Sequence, residues 1–161
     1  LTPATVSLAI PLYLQLDLLK KNIGAIFGGV ISGVIASLGT VLVMSIVFGL
    51  SHKEYVTMLP KSITTAIGMG ISEELGGYVT ISVAVIIITG VLGNMFAEYI
   101  CKLFRIKSPI SRGLAIGTAS HAVGTARAME LGEVEGAMSS LAIVVCGLCT
   151  VIGASTFSYL W

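Results

Sequence analysis

Three stretches of this chain are long, apolar and free of charge: Gly24–Leu50, Tyr78–Ala97 and Gly136–Trp161, of 27, 20 and 26 residues. A bilayer's hydrocarbon core is about 30 Å thick and takes about 20 helical residues to cross. Lipid offers no partner to a backbone N–H or C=O, so each stretch is expected to be a helix, whose hydrogen bonds are internal. The chain therefore reads as an all-α, polytopic integral membrane protein. Only 11% of its 161 residues are charged and 55% are hydrophobic, whereas soluble domains carry about 25% charged residues. A net charge of +1 offers no field for nucleic acid.

Three further segments are apolar but short or interrupted: Leu1–Leu19, Met58–Ser72 and Gly113–Met129. Pro11 and Pro60 remove backbone donors, and Gly68, Gly70, Gly117 and Gly124 weaken helix locally. These segments are expected to be discontinuous helices, each paired with the long helix that follows. Two of them carry a repeated motif. Ala66, Gly68, Glu74, Leu75 and Gly76 recur as Ala122, Gly124, Glu130, Leu131 and Gly132, at a constant offset of 56. Paired, interrupted hydrophobic segments are a sequence pointer to a transporter binding site.

The chemistry expected there is anion binding. His121 and Arg127 are costly at membrane depth, where ionisable groups face protein or water, and the guanidinium fork matches a carboxylate. The competing reading pairs Arg127 with Glu130 at i,i+3 near the surface. Thr64, Thr65 and Gly68, with Gly124 and Thr125 in the second copy, leave half-helix N–H groups open to an anion; the competing reading is small-residue packing. Glu74 and Glu130 occupy equivalent positions in the two copies. Cys146-x-x-Cys149 lies in an uncharged run and reads as two small residues on one helix face. No metal or other cofactor and no enzymatic reaction are expected. Gly24, Gly28, Gly29 and Gly33 follow a small-xxx-small spacing that permits close helix approach, including between two copies.

Orientation depends on how the broken segments run. If each crosses once, Lys53, Lys61, Lys102, Arg105, Lys107 and Arg112 fall on one side. The basic Lys102–Arg112 loop is then expected in the cytoplasm, together with the C-terminus, and the two motif copies run parallel. If the segments instead dip in and out on one side, the repeat is inverted.

The strings Ile71-Ser72-Glu73-Glu74-Leu75-Gly76-Gly77, Arg105 through Arg127 (with Ser120-His121-Ala122-Val123-Gly124-Thr125-Ala126-Arg127) and Glu130-Leu131-Gly132-Glu133-Val134-Glu135-Gly136 resemble the LrgB/CidB family of membrane proteins. Pro3 through Tyr13 also resembles the family pattern. The resemblance covers essentially the whole chain as one transmembrane domain, residues 1–161, and implies that further helices precede it in full-length members. It implies either of two functions. One is holin- or antiholin-like control of murein hydrolases and autolysis, with a small LrgA/CidA-type membrane partner. The other is transport of small monocarboxylates of the pyruvate, glycolate and glycerate class, in a multi-pass protein of the bacterial plasma membrane. The repeated polar motif suits a carrier better than a bare pore.

Overall fold

The computed structural model describes residues 13–161, apart from the side chains of Leu16, Leu18 and Leu19. The interrupted piece expected over Leu1–Leu19, including Pro3 and Pro11, therefore lies mostly outside the described residues. The described chain is helical: α1 (Leu16–Lys21), α2 (Ile23–Phe48), α3 (His52–Met58), α4 (Thr65–Glu74), α5 (Val79–Leu103), α6 (Pro109–Leu131), α7 (Glu133–Phe157) and a final 3-10 turn (Ser158–Leu160).

Three helices, Ile23–Phe48, Val79–Leu103 and Glu133–Leu160, are long and apolar enough to cross a membrane. They match the three uncharged stretches. α5 also extends six residues past Ala97, through Glu98 and Lys102, which form an i,i+4 ion pair at 3.5 Å. α2 stops at Gly49, whose φ of 63° lets its N–H reach back to the Ile46 carbonyl; glycine takes that left-handed conformation without steric penalty. Ser51 then opens α3 with a capping box: its hydroxyl accepts from the Glu54 N–H, and the Glu54 carboxylate accepts from the Ser51 N–H.

Both broken segments turn back on themselves. In α6 the reversal is at His121, a non-glycine residue at φ 42°, ψ −138°. Arg112, at the start of α6, lies 3.9 Å from Glu135, at the start of α7. Gly132, just past the end of α6, also packs on the Glu135 side chain. The first and last turns of α6 thus share one end of α7, and Gly117 and Thr125 both reach Ser139 from opposite sides of the reversal. A single crossing by 23 residues would have separated those termini by about 34 Å at 1.5 Å per residue.

The segment from α3 to α4 behaves alike at the other end. The Tyr55 hydroxyl donates to the Phe157 carbonyl at the close of α7. The chain then dips until the Ser62 carbonyl meets Cys146, at the middle of α7. It returns along α4, so that Ser72 and Thr57 both bond to Ser82 in the first turn of α5.

One end of the molecule therefore gathers the start of α2, the end of α5, both ends of α6 and the start of α7; we call it the Ser108 end. The Ser51 end gathers the end of α2, the start of α3, the end of α4, the start of α5 and the end of α7. The expectation that the C-terminus shares a side with the Lys102–Arg112 loop needs α6 to cross once. Because α6 returns, the two lie at opposite ends. Lys61 is likewise not a surface cation on either side: it sits beside Ser37, near the midpoint of α2.

The main core packs α2, α3, α4, α6 and α7 around Val30, Val34, Leu38, Tyr55, Met138 and Ala142. In the most apolar window of each span, α7 is 56% buried, α2 28% and α5 17%. α7 is thus the central helix, and α5 shows most of its surface to the surroundings.

Candidate functional site

The two reversals meet at the middle of α7. The Cys146 thiol lies 3.7 Å from the Ser62 carbonyl and 3.8 Å from the Thr118 carbonyl. Helix breaks leave carbonyl and N–H groups without intrahelical partners, and a weak thiol donor placed between two such carbonyls satisfies part of that need. The C-x-x-C pair belongs to helix packing, as its apolar surroundings suggest: Cys146 is buried and Cys149 packs against the main core.

His121 forms the tip of α6. Its side chain is buried, and its Nε2 lies 3.1 Å from the Ile86 carbonyl on α5. A bond to a carbonyl requires that Nε2 carry the proton and donate it. Gly90 makes room for the ring, since a Cβ there would come 2.7 Å from His121 Cε1. Around the reversal, Thr125 donates to the His121 carbonyl at 2.9 Å, Ser139 and Thr125 bond at 2.7 Å, and Asn94 donates to the Val123 carbonyl at 2.8 Å. A non-glycine residue at such a backbone angle costs about 1–3 kcal/mol and persists where its surroundings hold it; here three side chains and a glycine do so.

Beside the tips lies a cavity of about 870 Å³ walled by α2, the Lys61–Ser62 tip, α5 and the first half of α6. Pockets that hold small molecules typically measure about 300–1,000 Å³. Its wall combines Ile110, Leu114 and alanines with glycines and hydroxyls, among them Gly29, Gly33, Ser37, Ser62, Thr118 and Ser120, and among the described residues its one charged lining residue is Lys61. The Lys61 ammonium donates to the Ser37 hydroxyl at 3.1 Å and the Ser62 hydroxyl at 3.0 Å, and those hydroxyls are 3.0 Å apart. Among the described residues no carboxylate pairs with Lys61. The buried Thr118 hydroxyl has no hydrogen-bond partner among them.

The residues expected from sequence fall beside this cavity rather than in its wall. Arg127 reaches the carboxylates of Glu98 and Glu130 at once, bridging α5 to the second half of α6. The i,i+3 pairing with Glu130 is therefore present, and Glu98 adds a partner 29 residues away. Thr64 caps α4 without a side-chain bond, and Thr65 begins that helix. Gly68 is buried under Ile86 and Pro60; Gly124 is buried against Ser120 and Ile116. Glu74 is exposed at the Ser51 end and Glu130 at the Ser108 end. His121, Gly124 and Thr125 come together at one tip, Thr64, Thr65 and Gly68 near the other, and Arg127 with Glu130 lies apart from both.

The sequence reading missed Lys61, Ser37, Ser62, Thr118 and Ser120. One signal was available: Lys61 follows Pro60 inside an interrupted apolar segment, where a cation is expensive. Among the described residues no group of three or more His, Cys, Asp or Glu side chains could hold a metal ion.

Fold and site define a helical, multi-pass membrane protein with a cavity of mixed apolar and hydroxyl lining at mid-depth between two broken segments. The chain belongs to the LrgB-like family, whose profile matches residues 1–160. It is 43% identical over 152 residues, 94% of its length, to proteins named Antiholin-like protein LrgB from Bacillus mycoides (strain KBAB4) and Bacillus cereus (strain B4264). The same figures hold for the protein of that name from Bacillus anthracis (strain CDC 684 / NRRL 3495). The match covers 66% of each relative, so the chain spans just under two thirds of their length. No solved structure matches it.

Proposed function

We propose that this LrgB-like protein carries small monocarboxylates, of the pyruvate, glycolate and glycerate class, across a bacterial plasma membrane. The observation that carries this reading is the meeting of two chain reversals, entering from opposite ends, beside a cavity at mid-depth that holds Lys61 and several hydroxyls. In this reading α3–α4 and α6 are re-entrant hairpins, and each with its following helix forms one half of an inverted repeat. The motif offset supports it: shifting Thr65–Glu74 by 56 gives residues 121–130, the half of α6 beyond the reversal. Inverted repeats with broken helices at the bilayer midplane are how many secondary transporters place substrate sites. His121, Gly124 and Thr125 build one tip and Thr64, Thr65 and Gly68 the other. Arg127 with Glu98 and Glu130 ties α5 to α6 beyond the site.

A carrier exposes its site to one side at a time, so flux saturates with substrate. The test is uptake of labelled pyruvate into liposomes against concentration, beside release of a trapped dye. Saturable uptake without dye release is expected; linear flux with dye release would sink the carrier reading.

A second reading, antiholin-like control of murein hydrolases with an LrgA/CidA-type partner, is favoured by the name its relatives carry, Antiholin-like protein LrgB. It predicts that deleting the protein changes autolysis while the liposomes show no saturable uptake. Assembly as a homodimer is part of either reading.

A further inference from the structure

We infer that Lys61 is the group that binds the carried anion, with Ser37 and Ser62 as its shell, and that this pairing selects monoanions over dianions. The assignment rests on the carrier reading above and deepens it. Four observations converge on it.

The first is depth. Lys61 contacts Ser37, near the midpoint of a 26-residue membrane helix, and not either end. A cation placed there is costly and marks a pathway or a partner. The second is the missing counter-ion. Among the described residues Arg127 has two carboxylates, Arg112 has Glu135 and Lys102 has Glu98, and the other cations without an acid, Lys20, Lys21, Lys53, Arg105 and Lys107, are exposed. Lys61 has two hydroxyls and, among the described residues, no acid.

The third is the donor count. An ammonium has three N–H donors and a serine hydroxyl has one. Lys61 spends two on Ser37 and Ser62. Those hydroxyls share one hydrogen between them across 3.0 Å. One ammonium N–H and one hydroxyl hydrogen remain, and a carboxylate has two oxygens to accept them. The fourth is the wall. The cavity lining holds one charged residue, so a single carboxylate is neutralised there and a second would be desolvated without a cation, which is strongly unfavourable. The remaining wall mixes glycines and hydroxyls with four alanines, Ile110 and Leu114, and among the described residues the buried Thr118 hydroxyl has no partner. That chemistry fits a short acid with an oxygen next to its carboxylate.

The experiment measures pyruvate and malonate binding to the purified protein by calorimetry in detergent, alongside liposome uptake. The variants are Lys61→Met, Lys61→Arg and Ser37→Ala, each checked for unchanged melting and elution. Wild type is expected to bind pyruvate at least about tenfold more tightly than malonate, and Lys61→Met to lose at least about tenfold in pyruvate affinity, as removal of a charge-assisted hydrogen bond implies. Lys61→Arg should keep most binding, and Ser37→Ala, which leaves the cation in place, should weaken it by less than Lys61→Met. If well-folded Lys61→Met and Ser37→Ala bind pyruvate as wild type does, the assignment is overturned and the carrier reading stands. Equal affinity for malonate overturns the monoanion selection. Pyruvate binding that Lys61→Met abolishes, in a wild type without saturable uptake, keeps the site and overturns the carrier reading instead.

Discussion

A glycine's side of the helix decides what replacing it costs, and α2 has glycines on two sides. A Cβ built on Gly33 would come 2.7 Å from Thr118 Cγ2, whereas one on Gly28 meets nothing within 4 Å among the described residues. Gly33 thus sets the approach of α2 to the first half of α6, beside the cavity. Gly33→Leu must push α6 away or leave its rotamer well, and overpacking of this kind costs about 1–3 kcal/mol. Thermal unfolding in detergent should fall clearly for Gly33→Leu; an unchanged midpoint would mean that α2 and α6 do not touch there. The sequence announced the small-residue stripe but not its two sides, because spacing gives a face and not its occupant. The same limit applies to the cations. Arg127 stood out by its motif, and its i,i+3 partner Glu130 could be read directly. Glu98 could not, because it arrives from another helix. Lys61 reads in sequence as one of the cations gathered on one side, because the depth at which a broken segment places a residue is a tertiary fact.

At the scale of elements, interruption was legible and direction was not. Proline and glycine mark where a helix fails, so the breaks near Pro60 and between Gly117 and Gly124 could be expected from local chemistry. Whether the chain then continues or returns depends on what it packs against, and here α7 receives both limbs of α6. Of all the Lys and Arg residues, only Lys53 lies at the Ser51 end and only Lys61 at mid-depth; Lys20, Lys21, Lys102, Arg105, Lys107, Arg112 and Arg127 gather at the Ser108 end. The side enriched in Lys and Arg stays in the cytoplasm. The Ser108 end is thus expected inside and the Ser51 end outside. In a background without native cysteines, Ser51→Cys should react with an impermeant reagent in intact cells and Ser108→Cys should not. Equal labelling of the two would put both loops on one side and refute the doubled-back course of the chain.

For the whole molecule, the three spans divide the labour unequally, and this bears on assembly. α7 is buried among the other elements, while α5 and the outer face of α2 meet the surroundings through Ile87, Ile88, Leu92, Phe27 and Ile31. Apolar side chains of that size need no protein partner in lipid, because hydrocarbon solvates them as well as another helix would. Glycines are different. Association in a bilayer is driven by close packing, and small residues spaced four apart are where backbones approach. Gly24 and Gly28 form such a pair, and among the described residues nothing lies within 4 Å of a Cβ built on either. In the homodimer proposed above, this face would receive the second copy. Gly28→Leu should therefore leave the unfolding midpoint nearly unchanged, unlike Gly33→Leu, yet shift the protein from dimer to monomer in detergent, as read by light scattering. A Gly28→Leu variant that keeps the mass of the wild-type assembly would return this face of α2 to the lipid.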